Sequence, residues 1–114
     1  MKRFLCAAIL ACLVFATGPG AVAAASHPTA RPKAKVKIAD FAFSPKVLTI
    51  KAGTKVVWTN KGPSTHTTTS DDGRWDSPPL APGQKFKFIF TVPGTYPYHC
   101  SIHPTMTAEV DVTT

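Results

Sequence analysis

The sequence predicts an all-β domain, a sandwich of seven or eight short strands, and three observations carry that expectation. Apolar and polar residues alternate at period two through most of the chain from Lys35 onward. Turn residues punctuate the alternation at Ala52-Gly53-Thr54, Pro82-Gly83 and Pro93-Gly94. No stretch of about ten residues from there on repeats the three-to-four spacing of an amphipathic helix.

Each element follows from the same pattern. Val36 and Ile38 alternate with Lys35 and Lys37 in the first strand. Phe41 and Phe43 fall on the opposite phase, which predicts a bulge, or a strand changing sheets, near Asp40. Leu48 and Ile50 form the next inward pair, and Val56 and Trp58 share a face beyond the turn at Gly53. Residues 61–84 are the least regular part. Phe86, Phe88 and Phe90 then alternate strictly with outward Lys85 and Lys87. Tyr96, Tyr98 and Cys100 share inward parity after the last turn, and Ala108, Val110 and Val112 face inward in the final strand. The expected core is the Phe ladder with Trp58, Tyr96 and Tyr98. A domain this small buries only about 60% of its unfolded surface, so a metal tying the loops together would add stability.

The chain has 114 residues and a formal charge of +7, room for one domain and too little for a large two-domain enzyme. Residues 1–25 read as a signal peptide: Lys2 and Arg3, an apolar run from Phe4 to Ala16, the helix-breaking Gly18-Pro19-Gly20, then the small residues Ala21 to Ala25. The apolar run is too short to span a bilayer, which needs roughly twenty residues. The expected location is therefore periplasmic or otherwise exported, with the protein soluble after cleavage. Residues 26–34, basic and Pro-containing, are expected as a flexible arm, and residues 35–114 as the domain.

Removing the signal leaves Cys100 as the only Cys and Met106 as the only Met. A lone Cys makes no internal disulfide, and an exposed thiol is a liability in an oxidising compartment. Both residues lie in one seven-residue segment, Cys100-Ser101-Ile102-His103-Pro104-Thr105-Met106, in the loop between two strands. Parity directs thiolate, imidazole and thioether toward one point, and His66 offers a second imidazole from a loop flanked by Pro63 and Thr67-Thr68-Thr69. Two His, one Cys and a weak axial Met form the ligand set of an electron-transfer copper site.

Other chemistries fit less well. Zinc seldom takes a thioether. A Cys–His nucleophile needs an orienting third group and a substrate cleft, and nothing in the chain specifies either. Met is often a core filler and a loop His often a surface residue, but the strand, turn and upstream His around this segment weigh against that reading. The lysines are scattered along outward strand positions without an aromatic platform, which argues against nucleic acid. They read as a solvated face that also attracts acidic partners.

The segment Gly94-Thr95-Tyr96-Pro97-Tyr98-His99-Cys100-Ser101-Ile102-His103-Pro104-Thr105-Met106 resembles the ligand loop of the cupredoxins, the small blue copper proteins. Two residues on either side of His103 match the short spacing of the amicyanin-like branch, where plastocyanin-like loops are longer. Phe43-Ser44-Pro45 and the stretch from Leu48 to Asn60 look like the family's N-terminal strands, and the resemblance covers residues 35–113. It implies a cupredoxin-like Greek-key β-sandwich with one type 1 copper on His66, Cys100, His103 and Met106. Two positions depart from the family. Thr67 stands where an Asn commonly links the two ligand loops, which puts that side-chain bridge in question. Ile102 replaces a common Pro. His99 is expected as a surface or second-shell group, since four His in the mature chain are too few for the trinuclear cluster of an oxidase. The resemblance implies an electron carrier rather than an enzyme, a monomer cycling Cu(II) and Cu(I) between protein redox partners. The alternative is a copper-handling protein for storage, delivery or resistance. A copper chaperone usually displays several Met or His in an open array, and the mature chain keeps one Met.

Overall fold

The computed structural model describes residues 30–114. The expected signal peptide and residues 26–29 of the expected arm lie outside them. Eight strands follow: β1 (Lys33–Ala39), β2 (Ala42–Ser44), β3 (Val47–Lys51), β4 (Thr54–Asn60), β5 (Thr69–Ser70), β6 (Lys85–Phe90), β7 (Gly94–His99) and β8 (Thr107–Thr113). They form two four-stranded sheets, ordered β2-β1-β4-β6 and β3-β8-β7-β5. The pairs β1–β4 and β3–β8 are parallel and the others antiparallel. Parallel neighbours need crossovers, and the chain supplies them by passing from the first sheet to the second at β3 and back at β4. The all-β, Greek-key expectation stands.

Period-two burial is cleanest in β4, where Thr54, Val56, Trp58 and Asn60 are buried and Lys55, Val57 and Thr59 are not. The same alternation puts Val36 and Ile38 of β1, and Ala108, Val110 and Val112 of β8, into the space between the sheets. Trp58 is central: its ring lies within 5.6–6.4 Å of Trp75, Phe86, Phe90 and Tyr98. Each large side chain so buried contributes roughly 1.5–3 kcal/mol.

Three expectations need correction. The phase change near Asp40 is neither a bulge nor a change of sheet. The chain turns at Asp40-Phe41 and β2 folds back antiparallel on β1, pairing Ile38 with Phe43. Phe43 is therefore buried, and Phe41 at the turn is 60% exposed. The first strand begins at Lys33 rather than Lys35, because Pro32 accepts a hydrogen bond from the Lys55 N–H and Lys33 pairs with Lys55. Lastly, residues 61–84 supply core that the Phe ladder was expected to provide. Trp75 and Leu80 are buried, whereas Phe86 and Phe88 are only partly so.

Candidate metal centre

Strands β7 and β8 pair up to His99–Thr107, and the ligand loop closes just beyond that pair. The Cys100 N–H donates to Met106 O at 3.0 Å, and the Met106 N–H donates to His103 O at 2.8 Å. Two main-chain bonds thus fold seven residues into a tight loop. Cys100 is fully buried and Met106 nearly so, and His103 is half-buried at the rim. His66 comes from the opposite side. Its backbone exchanges both hydrogen bonds with Leu80, at 3.1 and 2.7 Å, and its ring is fully buried.

The two loops meet. Cys100 Sγ lies 3.8 Å from His66 Nδ1 and 3.6 Å from His103 Nδ1, and all three atoms lie within 4.8 Å of one another. Three of the four expected ligands therefore converge through their donor atoms. Met106 is buried at the closing pair of the loop, beside Cys100 in the main-chain bonding.

Contacts around the donors fix their chemical state. His66 Nε2 lies 2.7 Å from Asp40 Oδ1, and Ser64 Oγ donates to Asp40 Oδ2 at 2.6 Å. The Ser64 hydroxyl first, then the His66 imidazole, hold the Asp40 carboxyl below its usual range, so it is ionised and accepts only. His66 must donate from Nε2, which fixes its ring in one orientation with Nδ1 turned toward Cys100. Burial pushes the Cys100 thiol up, but the Thr67 N–H at 3.3 Å, the His66 ring and the His103 N–H and ring outweigh it. The thiol falls from 9.0 to about 6. A thiolate stabilised by neighbouring N–H donors is a metal ligand in waiting.

Thr67 resolves the question left by the missing Asn. Its hydroxyl accepts from the Ser101 N–H at 2.8 Å and lies 3.0 Å from both Ser101 Oγ and Thr69 Oγ1, so it joins the two ligand loops itself. Asp40 and Phe41 carried no signal in the sequence beyond the change of phase. Phe41 sets its ring edge-on to His103 at 5.0 Å and to His66 at 6.1 Å, roofing the site. Only the turn of β1 into β2 brings them there. His99 points away, its Nδ1 against Asp71 Oδ1 at 2.5 Å on the outer side of β7.

Two sheets with this topology, ending in a Cys–His–Met loop that faces a buried His, define a cupredoxin-like protein. The chain matches the cupredoxin-like domain family over residues 5–112 and belongs to it. It is 36% identical to amicyanin-alpha of Methylorubrum extorquens over 83 residues, 68% of this chain and 70% of that one. It is 30% identical to amicyanin of Paracoccus denitrificans, covering 91% of this chain and 92% of the relative. Among solved structures, a purple cupredoxin from Nitrosopumilus maritimus superposes with a TM-score of 0.65 at 33% identity, covering 70% of this chain and 99% of that one. A copper-containing nitrite reductase from Thermus scotoductus superposes with a TM-score of 0.68 at 30% identity. There the match covers 85% of this chain but 25% of the enzyme.

The donor set fits copper. A soft thiolate and two imidazoles presenting Nδ1, with the thioether residue buried beside them, combine the preferences of both copper oxidation states.

Proposed function

We propose that this chain is an exported, monomeric electron carrier holding one type 1 copper on His66, Cys100, His103 and Met106. The observation that supports it most directly is the meeting of two Nδ1 atoms and one Sγ within 4.8 Å, with the thiol already lowered to about 6. Bound copper supplies a one-electron Cu(II)/Cu(I) couple. The residues supply the rest. Cys100 gives the thiolate, and the Thr67 N–H keeps it charged in a buried place. His66, locked by Asp40, holds its ligand nitrogen in one orientation. His103 sits at the rim between Phe41 and Ile102, which are 60% and 46% exposed, so electrons leave through its ring and partners meet this apolar rim with Pro104. Met106, buried beside Cys100, would offer its thioether to the copper. A preformed site needs little rearrangement when an electron arrives, which is what a carrier requires.

The relatives favour a carrier over an enzyme: the match covers 92% of an amicyanin but 25% of the copper-containing nitrite reductase. His99 pairs with Asp71 instead of joining the centre. Export rests on residues 1–25 of the sequence. The visible spectrum of the copper-loaded protein is the test. An intense thiolate charge-transfer band that disappears in Cys100→Ser, with the fold retained by circular dichroism, is the expected result. A band that persists in Cys100→Ser, or no band with copper bound, rules the assignment out.

A further inference from the structure

The outward face of the first sheet is a cationic groove with no acidic side chain in its lining to balance it. On β4 the outward positions Val57 and Thr59 are short and form a floor. Register puts Lys35 and Lys87 on either side of Val57, and Lys37 and Lys85 on either side of Thr59. Lys33 lies at one end and Lys61 at the other, and the groove encloses about 520 Å³. Banks two strands apart are about 10 Å from each other, and successive lysines on one bank about 7 Å apart.

No internal group neutralises this face. All six acids of the chain are Asp40, Asp71, Asp72, Asp76, Glu109 and Asp111, and residues 1–29 contain none. Asp40 is engaged with His66 and Asp71 with His99, Asp72 and Asp76 are bonded to Ser70 and Thr69 of β5, and Glu109 and Asp111 lie on β8, both strands of the other sheet. Among the described residues no lysine forms an ion pair. Lys33 stands directly opposite Lys55, a like-charge pairing that costs stability.

We propose that this groove docks an acidic protein partner, one that lays an extended segment along β4 with carboxylates at alternate positions. Alternate side chains of an extended segment repeat at about 7 Å, the spacing of the lysines along each bank. A recessed floor fits a protruding segment better than a flat bilayer surface. The Phe side chains of β6 face inward, so the face offers no aromatic platform for bases. β1 and β4 run parallel toward the metal centre, and Lys37, Lys61 and Lys85 lie at that end. A partner seated in the groove therefore reaches the apolar rim at Phe41. The inference deepens the carrier reading by naming the partner's chemistry, and it is tested apart from the metal.

A nuclear magnetic resonance titration decides it, using protein purified from the producing cell and a synthetic peptide with Glu at alternate positions. The peptide is expected to shift the amides of β1, β4 and β6. Replacing Lys35, Lys37, Lys85 and Lys87 together by Thr should weaken binding about tenfold or more. Should that variant not fold, Lys35→Gln and Lys87→Gln singly are expected to weaken it by about two- to threefold each. Unchanged affinity in the variants, shifts confined to other faces, or no shifts at all overturns the proposal. So does tighter binding of phosphatidylglycerol vesicles or duplex DNA than of the peptide at equal salt. Cys100→Ser keeps the groove and removes the thiolate, so peptide binding by that variant separates failure of the groove from failure of the metal reading.

Discussion

Asp40 reaches Nε2 of His66 at 2.7 Å while its other oxygen takes the Ser64 hydroxyl at 2.6 Å, so a full negative charge stands behind the buried imidazole. A carboxylate in that place makes the imidazole a stronger donor and favours the more highly charged metal state. The turn leaves no slack. A Cβ on Gly62 would come within 2.8 Å of Asp40 Oδ1 and 3.0 Å of its N, so only glycine lets the carboxylate settle there. Asp40→Asn keeps the shape and removes the charge. The reduction potential of the copper-loaded variant should rise by about 60 mV, one tenfold step for one electron. Voltammetry that returns an unchanged or lower potential would mean that Asp40 positions His66 without tuning it.

At the scale of elements, the site depends on two loops that the short β5–β7 ladder sets side by side, pairing Thr69 with His99. The loop from Cys100 to Met106 is closed by main-chain bonds, and the loop carrying His66 is held by its exchange with Leu80. Thr67 connects them through Ser101, its hydroxyl nearly buried among three polar partners. Thr67→Val fills the same volume without the oxygen and leaves those partners short of a bond. The loss should be about 1 kcal/mol or somewhat more. A domain of this size then melts about 4–8 °C lower for each kcal/mol. Copper should also leave the variant faster. Thermal melts with and without copper check both effects, and an unchanged melt would show that Ser101 and Thr69 find water instead.

Over the whole molecule, the metal-free protein should carry a pH dependence of stability set by Cys100. Its thiol falls from 9.0 to about 6 on folding. A depressed folded-state pKa contributes stability that is fully present above the unfolded value and is lost as pH falls through the folded one. The melting temperature of metal-free protein should therefore drop as pH is lowered from 9.0 to about 6 and then flatten with respect to this group. Cys100→Ser should lack that part of the slope. A wild-type slope equal to that of the variant would place the thiol near its ordinary value.

How much of this was legible in the chain differs between ladder and turn. Strict alternation in β4 and β8 gave away the inward residues, because period two leaves each position only two faces to choose from. Cys100, His103 and Met106 were readable as a unit because they share one loop, and His66 because it was the remaining loop imidazole. The 61–84 segment hid Trp75 and Leu80, since their burial comes from isolated bridges, such as His66–Leu80, that leave no periodic trace. Asp40 and Phe41 were misread as strand because a tight reversal and a bulge change the phase in the same way. The residue order by itself determined the fold class, pointed to the residues whose donor atoms meet at His66, Cys100 and His103, and set an excess of positive charge. The tertiary structure alone decided that the excess lies on one groove, that Thr67 bridges the loops, and that Asp40 stands behind His66. Those contacts join residues 20 to 30 or more apart in the chain, and no local pattern encodes a distance that only the packing of two sheets creates.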